Sequence, residues 1–413
     1  KESPSESEFG QLKNHFVEHV CVNTREQFVS LHQDIKEWER KIADTEKDVP
    51  TTLVWKELKK PRDAFVLDRG LYDQRRDKVT RNTPGFLPPF PEGAPQNRLG
   101  LAEWLLNGNH PLTSRVTVNR FWQQIFGVGI VKTAEDFGMQ GEWPTHPELM
   151  DWLAVHFTQS GWNVKEFIRL VVTSSTYRQT SKASPKLYKL DPENRLFARG
   201  PRFRLDAEAL RDQALALSGL LVEKVGGPGV KPPQPDGLWF VVGYTGSNTV
   251  RFKKDNGPEN VHRRSLYTFW KRTAPPPQMN TFDAPSREVC SVRRERTNTP
   301  LQALLMMNDP QYFEAARGLA QRIMQNEGGS IEERLAYGFR LATLRKPSAS
   351  ESRSLVSAYN DFYGEFKSNA DAAKGAVAVG ELSPDSGLDP VELATCTMVA
   401  NIILNLDEVL NKG

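Results

Sequence analysis

Helix starts punctuate this chain. At 145–148 (THPE), 163–166 (NVKE), 348–351 (SASE) and 389–392 (DPVE), a residue able to cap a helix stands three places before a glutamate. In such a box the capping side chain takes up one of the free N–H groups of the first turn, and the glutamate reaches back to the cap. In the last of them Pro390 holds the first helical position, where an N–H is not needed. Apolar residues then recur at spacings of three and four: Val118, Phe121, Trp122 and Ile125; Leu149, Leu153 and Phe157; Leu393, Met398, Ile402 and Leu406. Gly127 and Gly161 supply stops. The pattern commits the chain to a mainly α fold.

The pattern also divides the chain. Residues 1–83 read as an N-terminal segment. In it one amphipathic helix over 12–47 carries Phe28, Leu31, Ile35, Trp38 and Ile42, with Thr24 and Gln27 as a capping box. A β-hairpin follows, pairing TTLVWKEL with RDAFVLDRG. Residues 84–96 are Pro-rich and read as an extended linker. Residues 97–368 form the main helical domain, with a small inserted β region near 237–272, where LWFVVGYTG, TVRF and RRSLYTFWKR have strand-like composition. Residues 369–388 read as a flexible link, and 389–413 as a C-terminal helix packing on the main domain.

Composition sets limits. Across 413 residues the net charge is only +3, so attraction for anions must come from local clustering. With no recognisable nucleic-acid module, nucleic acid is not expected as a partner. No apolar run reaches the length needed to span a bilayer. Cys21, Cys290 and Cys396 lie far apart and form no CxxC or CxxCH spacing, so no metal ribbon or covalent haem attachment is expected. The opening KESPSESEF has no initiator Met and reads as a processed or truncated piece of a longer chain.

Clustering does occur around VRRERTNTPLQALLMMNDP, residues 292–310. Its TNTPLQ portion explains itself as a helix start, with Thr299 as cap, Pro300 in first position and Gln302 completing the box. The arginines do not, because a cation near a helix N-terminus meets the positive end of the dipole. Arg263, Arg264, Lys271, Arg272, Arg287, Arg293, Arg294 and Arg296 crowd residues 261–296 against only Asp283, Glu288 and Glu295, with Tyr267, Phe269 and Trp270 interleaved. Arg202 and Arg204 add to them. Guanidinium forks suit sulfate and carboxylate groups, and aromatic faces suit sugar rings. The candidate ligand-binding set is therefore Arg202, Arg204, Arg263, Arg264, Tyr267, Trp270, Arg272, Arg287, Arg293, Arg294 and Arg296. The alternative is that these arginines brace loops through Asp206, Asp212, Asp283 and Glu288.

Several long segments, among them NHPLTSRVTVNRFWQQIFGVGIVKTAEDFGMQGEWPTHPELMDWLAVHF, DPENRLFARGPRFRLDAEALRDQAL and RRSLYTFWKRTAPPPQMNTFDAPSREVCSVRRERTNTPLQALLMMNDP, resemble a known family over roughly residues 97–410. It is the planctomycete-specific domain of unknown function found C-terminal in proteins that also carry a planctomycete cytochrome-c-type domain. The resemblance implies an exported protein, periplasmic or extracellular, in a redox or polysaccharide-degradation assembly. It further implies that any haem sits on a missing N-terminal part or on a partner subunit, with no cofactor on this chain. The chain would then bind acidic polysaccharide or dock the haem-bearing part. The alternatives are a structural or cell-surface scaffold, and a self-contained hydrolase or lyase.

For that last alternative His262 is the best proton-transfer candidate, since adjacent Arg263 and Arg264 favour the neutral ring, with Asp283 as its carboxylate partner. His15 and His19, one helical turn apart and followed by Cys21, are weak metal candidates. No nucleophile elbow, P-loop, dinucleotide fingerprint or HExxH occurs.

Overall fold

A computed structural model describes residues 5–49, 51–243, 250–326 and 329–413. The chain forms two compact units, one of residues 1–84 with 90–101 and one of residues 85–89 with 102–413.

In the first unit the expected single helix is two, α1 (Glu6–His15) and α2 (Arg25–Lys47), separated by a π turn at Phe16–Val20. The hydroxyl of Thr24 explains the break. Instead of capping α2 it donates to the Val17 carbonyl at 2.5 Å, and α2 folds back beside the π turn. The stripe Leu31, Ile35, Trp38 and Ile42 lies along α2 and is exposed. The hairpin also differs from expectation. RDAFVLDRG supplies β1 (Ala64–Leu67), but its antiparallel partner is β2 (Arg75–Val79), and residues 51–58 form no strand. The chain turns directly after Leu67 through Arg69 and Gly70 at φ 48° and 79°, and Asp68 is tied to Arg76 across the turn. That local closure outcompetes pairing with the earlier segment. Helix α3 (Arg98–Leu106) follows.

The second unit has two cores. Helices α4 (Thr113–Phe126), α5 (Pro147–Gln159) and α6 (Val164–Thr173) enclose Val118, Trp122, Phe157 and Phe167. Asn163 caps α6 as its box predicts, while α5 begins at Pro147 without a side-chain cap. Gly127 ends α4 at φ 82°; a Cβ there would stand 2.6 Å from the ring of Phe203. Buried Asn119 of α4 both donates to and accepts from the backbone of Val131, holding the following loop.

The second core begins after α7 (Pro185–Leu190) and the short strand β3 (Phe203–Arg204) with α8 (Ala207–Ser218). Three short helices follow, α9 (Leu238–Val242), α10 (Pro258–Val261) and α11 (Pro277–Thr281). Then come α12 (Pro300–Asn308), α13 (Pro310–Gln325), α14 (Ile331–Thr343), α15 (Ala349–Ser368), α16 (Ala370–Val377), α17 (Pro390–Leu404) and α18 (Asp407–Leu410). Strand β4 (Asn411–Lys412) pairs antiparallel with β3. At the centre α13 packs on α17, with Ala315, Ala316, Leu319 and Ile323 set among Ala394, Val399, Ala400 and Ile403, all fully buried.

The fold is thus mainly α with small β regions. The β content expected near 237–272 reduces, among the described residues, to isolated bridges such as Val230–Thr268 and Lys271–Ala274; residues 244–249 lie outside them. The aromatic and β-branched residues there report burial against neighbours rather than a ladder. Residues 369–388 are not simply a link. Asn369 caps α16, which buries Ala373 and Val377 in the core. Helix α17 is the centre of this core rather than an addition to it. The three cysteines are free, with Cys290 exposed and Cys396 buried in α17, where burial pushes its thiol up to about 12. Among the described residues no helix is long and apolar enough to cross a membrane.

One buried ionic cluster ties this core together. Arg317 of α13 donates to the carbonyls of Val377 and Leu382 and faces Glu314. The Glu314 carboxylate in turn accepts from the backbone N–H groups of Glu381 and Leu382, each at 2.8 Å. Burial acts to raise the Glu314 carboxyl, but these bonds and one from His262 hold it below its ordinary range. Removing one member of such a cluster leaves an uncompensated buried charge, at about 3–5 kcal/mol. Arg317→Ala should lose stability on that scale in urea unfolding, and an unchanged midpoint would remove the cluster from the forces holding the fold.

Candidate functional site

Residues 284–296, between α11 and α12, carry four arginines, and the loop is closed at its base by Asp283. Its carboxylate accepts from the Thr297 N–H at 2.7 Å and the Thr297 hydroxyl at 2.8 Å. Buried Gln302 reinforces the closure by donating to the Thr281 carbonyl and to Thr297. Asp283 adopts φ 59°, a left-handed conformation that a non-glycine residue holds only when its surroundings impose it. Asp283 is therefore a clasp, and the segment has the closed form of an Ω-loop.

Once closed, the loop is fastened to the start of α8. Arg294 forks onto Glu208 at 2.6 and 3.2 Å and approaches Asp206 at 3.6 Å. Arg296 lies 3.5 Å from Asp206, donates to the Gly127 carbonyl and stands over the Phe203 ring at 4.2 Å. Arg287 is 3.6 Å from Glu208 and covers the Trp270 ring at 4.4 Å, while the indole N–H donates to the Ser286 carbonyl. Arg293 faces Glu135 at 3.7 Å. The unfavourable meeting of arginines with a helix N-terminus is thus resolved by the acids that open another helix. Burial works to raise the Glu208 carboxyl, but the Arg294 fork outweighs it and holds the group below its ordinary value.

Other members of the predicted set are placed elsewhere. Arg263 is buried, lies 3.8 Å over the Tyr267 ring and donates to the carbonyls of Lys224, Gly226 and Pro228. The glycine-rich loop GGPG at 226–229 therefore wraps a guanidinium, and the Tyr267 hydroxyl accepts from the Gly226 N–H. Arg264 pairs with Asp212, Arg202 with Asp407, and Arg204 donates to Asn298 at 2.6 Å. Arg272 is exposed.

Of the predicted set, Arg287 and Arg294 line one cavity of about 530 Å³ between α4 and the clasped loop. Its walls include Thr117, Arg120, Phe121 and Gln124 from α4, with Arg287 and Arg294 opposite. Arg120 is exposed and, among the described residues, has no ion pair or hydrogen bond. Sequence reasoning missed it because it stands alone in sequence. The available signal was its place with Thr117, Phe121 and Gln124 on one helical face. Asp206 was expected only as one possible brace, and Glu208 was not singled out. A second, more apolar cavity of about 620 Å³ is walled by Phe137, Met139, Trp143 and Pro147, with Trp143 90% exposed at its rim; its Arg115 is already paired with Asp151.

The proposed acid–base pair is not brought together. His262 is carried by the end of α10 into the core, where its Nε2 lies 3.1 Å from Glu314, while the Asp283 carboxylate is engaged with Thr297. The reason is packing: α10 delivers the His262 ring to α13, whereas Asp283 is turned to the segment that enters α12. In the first unit the His15 and His19 rings stand 4.7 Å apart, and His32 stacks on His19 at 4.9 Å.

A family model described as PSD1, protein of unknown function (DUF1553), matches residues 97–359, which includes both cavities and the clasped loop. No curated protein and no solved structure matches.

Two outcomes follow from the clasp. Asp283→Ala should expose residues 284–296 to limited proteolysis, and Asp283→Gly should also be cut, because relieving the backbone does not restore the bonds to Thr297. If neither variant is cut faster than the parent chain, the clasp does not hold the loop. The Glu208 anchor contributes fully above its ordinary value of 4.5 and is lost only as pH falls below that through the lowered value. Proteolysis of the loop should therefore stay slow at pH 5 and rise only in more acid solution, earlier in Arg294→Ala.

Proposed function

The chain belongs to the PSD1 family of proteins of unknown function, which leaves its own geometry as the guide, and from it we propose a binding module for acidic carbohydrate, with the cavity between α4 and the clasped loop as the site. The observation that carries this reading is Arg120, an unpartnered guanidinium facing a cavity whose opposite wall holds Arg287 and Arg294. Asp206 and Glu208 neutralise part of that charge but also fix the two forks in place. A sulfate or carboxylate on the ligand would meet Arg120 and the outward edges of Arg287 and Arg294. The flat wall of Phe121 suits the face of a sugar ring. Trp270 is covered by Arg287 and acts from beneath, stiffening a guanidinium rather than touching the ligand. Arg263, Arg264, Arg202 and Arg204 are braces in this scheme.

A second reading is favoured by one observation, the exposed Trp143 beside an apolar cavity, which fits a neutral sugar ring stacking on the indole. The two are separable in one experiment. Binding of the chain to sulfated, carboxylated and neutral polysaccharides is measured across a salt series. Acidic polymers should bind in a salt-sensitive way. Arg120→Ala, which disturbs no internal partner, should weaken that binding about tenfold or more, the scale of a charge-assisted hydrogen bond. Salt-insensitive binding of neutral polymers, lost in Trp143→Ala and kept in Arg120→Ala, would move the site to the other cavity. No binding to any polymer would overturn both.

A further inference from the structure

We propose that the first unit binds a divalent transition-metal ion through Glu18, His19 and His32. This site is independent of the cavities above and lies outside the residues matched by the family.

The π turn creates it. On a regular α-helix neighbouring residues point about 100° apart. In the π turn at Phe16–Val20, Glu18 and His19 both approach His32, Glu18 as an ion-pair partner and His19 by ring stacking. The break after the turn then returns α2 alongside. The Cys21 N–H donates to the Phe16 carbonyl at 2.8 Å, and the Thr24 hydroxyl holds the Val17 carbonyl. Two turns into α2, His32 arrives with its Nε2 3.5 Å from the Glu18 carboxylate, and His19 Nε2 lies 3.9 Å from the same oxygen. One donor atom from each of the three residues lies within 4.8 Å of the others. Bonds of about 2.0–2.2 Å to an ion draw such donors to roughly 3–3.5 Å apart. The remaining closure is a matter of side-chain rotation, and all three side chains are exposed or half-buried and free to make it.

The donor chemistry selects the ion. Two imidazoles and one carboxylate suit zinc, nickel, cobalt or copper, whereas calcium and magnesium prefer sites made of oxygen alone. Three protein ligands leave coordination positions open to water or to an added ligand. The His15 ring lies 4.7 Å from that of His19 and packs beside the site. π turns of this kind recur at functional sites, because the irregular helix is retained only where something uses it.

The full chain, freed of metal by chelation, should be titrated with cobalt(II) and, separately, with zinc. One equivalent should bind, giving the visible absorption of cobalt in a nitrogen–oxygen site without a thiolate charge-transfer band. His19→Ala and His32→Ala should each weaken binding by more than about tenfold, and His156→Ala, in the other unit, should not. Cys21→Ser should leave the spectrum unchanged. Absence of saturable binding, or binding that survives in His32→Ala, overturns the assignment. A thiolate band lost in Cys21→Ser overturns the ligand set. Because these side chains carry no core packing, circular dichroism of each variant should match the parent, so lost binding reads as a lost ligand.

Discussion

The close approach of α13 and α17 is the constraint on which the second unit depends. Fully buried alanines at 315, 316, 394 and 400 let the two helices approach closely. Around that contact the spacing of everything else is set. Gly318 of α13 lets α8 approach, since a Cβ there would stand 2.8 Å from Ser218. Helix α8 then presents Asp206 and Glu208 at its start, and those acids hold the arginine loop. Small apolar residues in one place thus determine where guanidinium groups stand in another, through rigid helices rather than through any long-range field.

Charge serves two purposes here, and burial separates them. Arg317, Arg211 and Arg263 are buried and donate largely to backbone carbonyls, closing chain segments that no regular ladder would satisfy. Such groups would be costly if left unpaired, and the terminal nitrogens of all three are hydrogen-bonded. Arg287, Arg293 and Arg294 sit at the boundary, paired on one side and open on the other. Arg120 is exposed and, among the described residues, has no ion pair or hydrogen bond. Only the last kinds can attract a ligand, and the sequence makes no distinction between them and the braces.

That difference marks how far the sequence could be read. Caps at Asn163, Ser348, Thr299 and Asp389 were legible because cap and helix are within three residues of each other. The α character of the fold followed from them. The arginine partners were not legible in the same way, because Glu208 is 86 residues from Arg294, and Glu314 is 52 from His262. Pairing at that range is decided by helix packing, which periodicity does not encode. The N-terminal helix failed for a different reason. Its apolar spacing runs through residues 12–47 without a breaker, and a single threonine hydroxyl turned away from its cap ends the run. With the helix taken as continuous, His32 had no reason to be considered beside His19.

The clasped loop also carries its own reporter position. Cys290 lies at its exposed middle, whereas Cys396 is sealed inside α17 with a thiol held protonated by its surroundings. In a Cys21→Ser background, a maleimide fluorophore or a nitroxide label would therefore attach at the loop alone. Opening and closing of the loop, and the arrival of anything in the adjoining cavity, then become visible as changes in the label's mobility and emission, read from a cysteine the chain already has.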